Sequence, residues 1–128
     1  MSVYRIQDHN GRGPFQPGFS QVWCDKDFAI GVWPHPTWME EFGADLILKH
    51  RQPGEYYGSA VRTREELNGW FSSTEQRRLK HLGFKIVEMD ISRVLAESTC
   101  QLVFARFVPL YVGITLLPWG SWSGSRSR

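Results

Sequence analysis

Cysteine is scarce in this chain. Only Cys24 and Cys100 occur, with no Cys-x-x-Cys arrangement, which excludes a disulfide framework and a paired-thiol redox or zinc motif. His9, Cys24, His35, His50, His81 and Cys100 share no recurring short spacing, so no clustered metal-ligand set is expected. An excess of charge of one sign is missing too. Lys and Arg total 15 against 13 Asp and Glu, a formal net charge of +2, whereas nucleic-acid binders concentrate cations on one face or in a run. Long apolar runs are also lacking. The longest, residues 108–119, contains Pro109, Gly113 and Pro118 and falls short of the roughly 20 residues a membrane helix needs; it reads as a buried strand. The N-terminal segment from Met1 to Asp8 has no apolar signal core, and a reduced, cytoplasmic protein is expected. Gly11-x-Gly13 lacks the later glycine and following helix of a dinucleotide fingerprint.

What the chain does have is aromatic and capping content. Its 128 residues are 41% hydrophobic and 14% aromatic, enough for one core, so residues 1–119 are expected to form a single domain and 120–128 a loose polar tail. A short β-rich run around Tyr4 and Ile6 ends at Asn10-Gly11, a pair suited to the positive φ angles of a tight turn. The 11–20 segment is too rich in Gly and Pro for a regular element and reads as a loop pinned by Phe15 and Phe19. Thr37-x-x-Glu40 is a capping box for a helix carrying Trp38, Phe42 and Leu46 and ending near His50. Residues 55–61 read as a strand. Thr63-x-x-Glu66 then caps a helix with Leu67, Trp70 and Phe71 on one stripe, and Ser72-x-x-Glu75 restarts it with Leu79 and Leu82. Gly83 suits the left-handed stop. Residues 84–91 alternate, with Phe84 and Ile86 on one face and Val87, Met89 and Ile91 on the other. Residues 92–98 read as a helical turn or loop, and 101–107 and 110–117 as strands. This order implies an α+β domain: a mixed, mostly antiparallel sheet flanked by two or three helices.

Several segments then carry a resemblance. Tyr4-Arg5-Ile6 with Asp8, Gly11-Arg12-Gly13-Pro14-Phe15, Tyr57-Gly58-Ser59-Ala60, Leu67-x-x-Trp70-Phe71, Leu82-Gly83-Phe84 and Gln101-Leu102-Val103-Phe104 resemble a group of small phage and prophage proteins. The overall layout is similar to a minimal ADP-ribosyltransferase scaffold. The likeness implies ligand-binding roles for Arg5, for Ser59 with its neighbour Tyr57, and for Gln101, with NAD as the cofactor if the chain is a transferase. That family places a Glu where this chain has Gln101, with Glu97 four residues earlier. A neutral amide there withdraws the charge that stabilises the cation forming at the anomeric carbon of the ribose.

Residue type supplies a simpler reading beside each functional one. Arg5 can grip a pyrophosphate through its forked guanidinium or be an ordinary strand arginine; Ser59 can be a small residue where a helix passes close. Cys100 enters an apolar strand, where a buried thiol is the default. Trp33, His35 and Trp38, in and beside a Pro-rich loop, can form an aromatic contact surface for a partner or a lid on the core. Three functions follow, in this order. The first is a phage-type accessory protein that binds and modulates a host or defence protein through that surface, without turnover or cofactor. The second is an NAD-dependent ADP-ribosyltransferase. The third is a nucleic-acid-binding domain using Arg77, Arg78, Lys80, Arg126 and Arg128.

Overall fold

β1 (Ser2–Gln7) is the first strand, and the tight turn after it forms where the sequence places it. Asp8 Oδ1 accepts from the backbone N–H groups of Asn10 and Arg12, both at 2.9 Å, and Gly11 takes φ 83°. The computed structural model describes residues 1–15, 20–24 and 36–120. The aromatic pinning of the 11–20 loop is visible at Phe15, whose ring lies 5.3, 5.9 and 5.7 Å from those of Trp23, Trp70 and Phe71. Phe19 and the tail beyond Gly120 fall outside the described residues.

Helices α1 (Ser20–Trp23), α2 (Trp38–Phe42) and α3 (Leu46–His50) precede β2 (Tyr56–Ala60). The capping box at Thr37 is present, but the single helix expected from there to His50 is two. Gly43 takes φ 98° and donates to Met39 O, a left-handed stop that ends α2 and sends the chain round to a second short helix. The Thr63–Glu66 box starts with a 3-10 turn (Arg64–Glu66) before α4 (Leu67–Trp70), and the Ser72–Glu75 box starts α5 (Ser73–His81). α5 ends in a Schellman arrangement: Gly83, at φ 94°, donates to Lys80 O (3.1 Å), and Phe84 donates to Leu79 O (3.0 Å). Leu79 is buried, but Leu82 lies past the end of α5 and is exposed.

β3 (Lys85–Asp90), β4 (Arg93–Glu97), β5 (Leu102–Arg106) and β6 (Thr115–Leu117) complete the chain. The expected mixed sheet is instead two three-stranded antiparallel sheets, β1-β3-β6 and β2-β5-β4, joined by a bridge between Tyr4 and Val61. The α+β class stands. Alternation on β3 assigns its residues as the sequence implies: Phe84 and Ile86 join a core with Trp23, Leu67, Trp70, Phe71 and Leu79. Val87 and Met89 join a second core with Val3, Leu102 and Phe104.

Two late segments depart from expectation. Residues 93–97, read as a helical turn or loop, form β4 with an irregularity between Val94 and Ala96. They do so because β5 offers a free edge, and a bulge lets an imperfect strand follow it. The 108–119 run, read as a buried strand, pairs only over Thr115–Leu117. Pro109 and Gly113 turn it into a loop on which Tyr111 and Val112 are exposed. Buried side chains fasten that loop: Gln7 Nε2 donates to Leu110 O (2.7 Å) and Arg106 Nη2 to Val112 O (2.9 Å).

An ion pair ties β4 to the segment entering β2. Arg93 donates to both Glu55 oxygens (2.9 and 2.8 Å), and Tyr57 Oη adds a bond to Glu55 Oε1 at 2.9 Å. The Arg93 hydrogen bonds hold the Glu55 carboxyl below its ordinary range, against the opposing effect of desolvation. A carboxyl depressed in the folded state contributes stability above its unfolded pKa and loses it as pH falls through the folded one. Protection factors for amide exchange in β2 and β4, corrected for the intrinsic pH dependence of exchange, should therefore fall on acidification across that window, and Glu55→Gln should remove this component. An unchanged pH profile in the variant would count against the clamp.

Candidate functional site

Where the two sheets meet, pairing is limited to one point. Tyr4 and Val61 exchange two backbone hydrogen bonds of 2.9 Å; beyond them β1 and β2 part. At this seam lies a cleft of about 600 Å³, lined by residues 4–6 of β1, 56–61 around β2 and the 10–15 loop. Residues 37–39 at the start of α2, Leu67, Trp70 and Phe71, Gln101, and residues 109–111 complete it.

Arg5 sits in the gap. By strand alternation its side chain starts on the face of Val3, then reaches the seam, where Nη1 donates to Ser59 O (3.0 Å) and Nη2 to Gly11 O (3.2 Å). Ser59 pairs with Val103 on its other side, so the guanidinium satisfies a carbonyl that the parted strands leave over. Two glycines make room for it. A Cβ on Gly13 would come within 3.3 Å of Nη2, and one on Gly58 would overlap Nη1 and lie 2.9 Å from Phe104 Cζ. An isolated glycine inside a strand is the sequence sign of such close approach, and Gly58 could have been singled out on that ground.

The guanidinium carries five N–H donors, and backbone carbonyls take two of them. Nε is buried with no partner among the described residues. Arg5 is 9% exposed, and desolvation lowers its pKa to about 10, opposed by the charge of Asp8. It stays protonated at neutral pH as a buried cation, with no carboxylate in salt-bridge contact among the described residues. Such a charge is stabilised when an anion enters beside it.

Ser59 pairs with Val103, so it shares one sheet face with Tyr57 and, two residues before Val103, Gln101. All three line the cleft together with Arg5. The Tyr57 hydroxyl accepts from Gln52 N at 2.8 Å, which commits it to the turn before β2. Gln101 is 3% exposed, and its Nε2 donates to Pro36 O (3.0 Å) and to Glu41 Oε1 (2.9 Å). Glu97 is elsewhere: it is exposed and paired with Arg62. Trp38 is half-buried and lines the cleft. Trp33 and His35, expected beside it in a contact surface, lie outside the described residues.

Cys100, expected to be a buried thiol, is half-buried, with Sγ 3.6 Å from Glu41 Oε1. No local pattern singles out Glu41, whose carboxylate accepts from Gln101 across 60 positions. The basic residues Arg77, Arg78, Lys80 and His81 are exposed on α5, and Arg78 donates to Trp23 O at 3.0 Å. Among the described residues no helix is long and apolar enough to cross a membrane. The same residues hold no group of three or more His, Cys, Asp or Glu placed to bind a metal ion.

The cleft thus offers aromatic rings (Tyr4, Phe15, Trp38, Trp70), a buried cation at one point and a side-chain amide at another. A family model described as bacteriophage T4 Y00F protein matches residues 1–113. No curated protein matches, and no solved structure matches.

Proposed function

The chain belongs to the bacteriophage T4 Y00F family, and on that basis we propose that it is a phage accessory protein acting by binding, with the inter-sheet cleft as the site of an anionic, ring-bearing small molecule of the nucleotide class. The observation that supports this is Arg5, a buried cation with unused donors at a cleft lined by aromatic rings. An anionic group offsets the desolvated charge, and a planar base stacks on the rings. NAD is the member of the class that the ADP-ribosyltransferase resemblance implies. Binding is favoured over transfer because the strand-opening position holds the neutral Gln101, while Glu97 is engaged by Arg62 away from the cleft lining.

Thermal melts with NAD, ADP and ADP-ribose test the reading. A ligand at 100 times its Kd adds about 2.7 kcal/mol of stability, so a clear rise in Tm is expected with at least one of them. Arg5→Lys, which keeps the charge but not the fork, should reduce that rise. No shift with any of the three at millimolar concentration would overturn the proposal.

A second reading, contact with a host or defence protein, has its own support beside the cleft mouth. Phe107, Val108, Tyr111 and Val112 are exposed apolar residues on one loop, a composition suited to an interface. Of the aromatic residues first associated with that role, Trp38 belongs to the cleft lining. Paired serine substitutions at Phe107 and Val112, both exposed and outside the cleft lining, should leave nucleotide-induced melting shifts intact while abolishing capture of a partner. Retained capture would remove the loop from consideration.

A further inference from the structure

Gln101 is held in one orientation by its surroundings. A primary amide has two N–H donors and one carbonyl acceptor, and both donors are used, by Pro36 O at 3.0 Å and Glu41 Oε1 at 2.9 Å. Rotating the amide by half a turn would set its oxygen against a backbone carbonyl and a carboxylate, which can only accept when ionised. The hydrogen-bond pattern therefore fixes which end of the amide is nitrogen. Oε1 makes no hydrogen bond to a described residue, yet is not among the side-chain atoms sealed from solvent without a partner. It is an acceptor still open on a residue that lines the cleft.

We propose that Gln101 is the specificity-determining residue of the cleft: its fixed carbonyl selects ligands that present a neutral hydrogen-bond donor, a hydroxyl or an exocyclic amine, at that point. Glu41 is a positioning residue that acts through Gln101 and does not line the cleft itself. The inference rests on the nucleotide-binding reading and makes it more specific. The ligand carries its anionic group toward Arg5 and a donor toward Gln101, and a second anionic group at the Gln101 end is rejected because it meets Oε1 with the Glu41 charge behind it.

The test compares three probes by calorimetry on the full chain: ADP, its 2′,3′-dideoxy analogue, and inosine diphosphate, in which a carbonyl replaces the base amine. The wild type should prefer ADP over one of the two analogues by about 10-fold, the factor that corresponds to one hydrogen bond of about 1.4 kcal/mol. Gln101→Met should bring that preference close to unity while keeping the affinity for the disfavoured analogue. Glu41→Gln, which retains shape but can donate to Gln101 and so frees the amide to turn, should relax the preference without removing the cavity.

Both variants are checked for cooperative melting, and the ratio between probes reports specificity even if each variant loses stability. Equal losses for all three probes in both variants would mean that Gln101 only supports the cleft wall, and would overturn the inference. So would an unchanged preference. Failure of the wild type to bind any probe would instead overturn the nucleotide reading on which it rests.

Discussion

Replacing Trp70 by alanine is expected to lower the unfolding free energy by about 3–5 kcal/mol, the range for deleting a buried aromatic ring. Trp70 ends a helix of four residues, far too short to persist on local hydrogen bonds, so α4 is held by what its side chains bury. The ring is 8% exposed within the first core and meets Phe15 edge-on at 5.9 Å. Its Nε1 donates to Cys100 O at 3.0 Å, so truncation also leaves a carbonyl short of its donor just before β5. Trp70→Phe separates the two contributions. It keeps most of the apolar area and loses the donor, and a loss of about 1–2 kcal/mol is expected. Urea melts with a shared m value measure both; a loss below about 1 kcal/mol for the alanine variant would show that the ring does not anchor α4.

The second large effect is expected at Gly58. An alanine there would bring its methyl into Arg5 Nη1, to 2.9 Å from Phe104 Cζ and to 3.2 Å from Leu110 Cδ1. Arg5 is fixed by Ser59 O and Gly11 O, and Phe104 is fully buried, so neither can yield without breaking something else. Overpacking of this kind costs about 1–3 kcal/mol, and a carbonyl left without its donor adds to it. Gly58→Ala is therefore expected to destabilise by about 2–4 kcal/mol and to abolish nucleotide-induced melting shifts, because the guanidinium leaves its place in the seam. Stability within about 0.5 kcal/mol of the wild type would mean that Arg5 moves aside freely and that its position in the cleft is not fixed by packing.

The legible part of this fold is the part written in short intervals. The three capping boxes at Thr37, Thr63 and Ser72 all form, since each needs only two side chains three residues apart to satisfy backbone N–H groups within the same turn. The stop at Gly83 and the two faces of β3 were readable for the same reason: the left-handed cap and the two-residue period are properties of adjacent residues. Gly43 was equally available as a stop signal, but the Trp38–Phe42–Leu46 spacing masked it.

The cleft was legible by position only. Arg5, Tyr57, Ser59 and Gln101 could be named from the resemblance, and all line it, but what each one holds depends on residues far along the chain. Arg5 spans to Ser59, Gln101 to Glu41, and Gln7 to Leu110, across 54, 60 and 103 positions.

The sequence by itself determined where the three capped helical segments start, where α5 stops, which faces of β3 are apolar and that the class is α+β, because those outcomes depend on interactions within one turn or one strand. Only the tertiary structure decided that 93–97 is a strand, that 108–114 is a loop, and that the strands divide into two sheets. The same pairings set a cation and an oriented amide at the seam. Strand pairing and buried polar contacts join residues whose separation in sequence carries no periodic signal, and the free energy that selects them comes from satisfying backbone and side-chain groups left over by every other element.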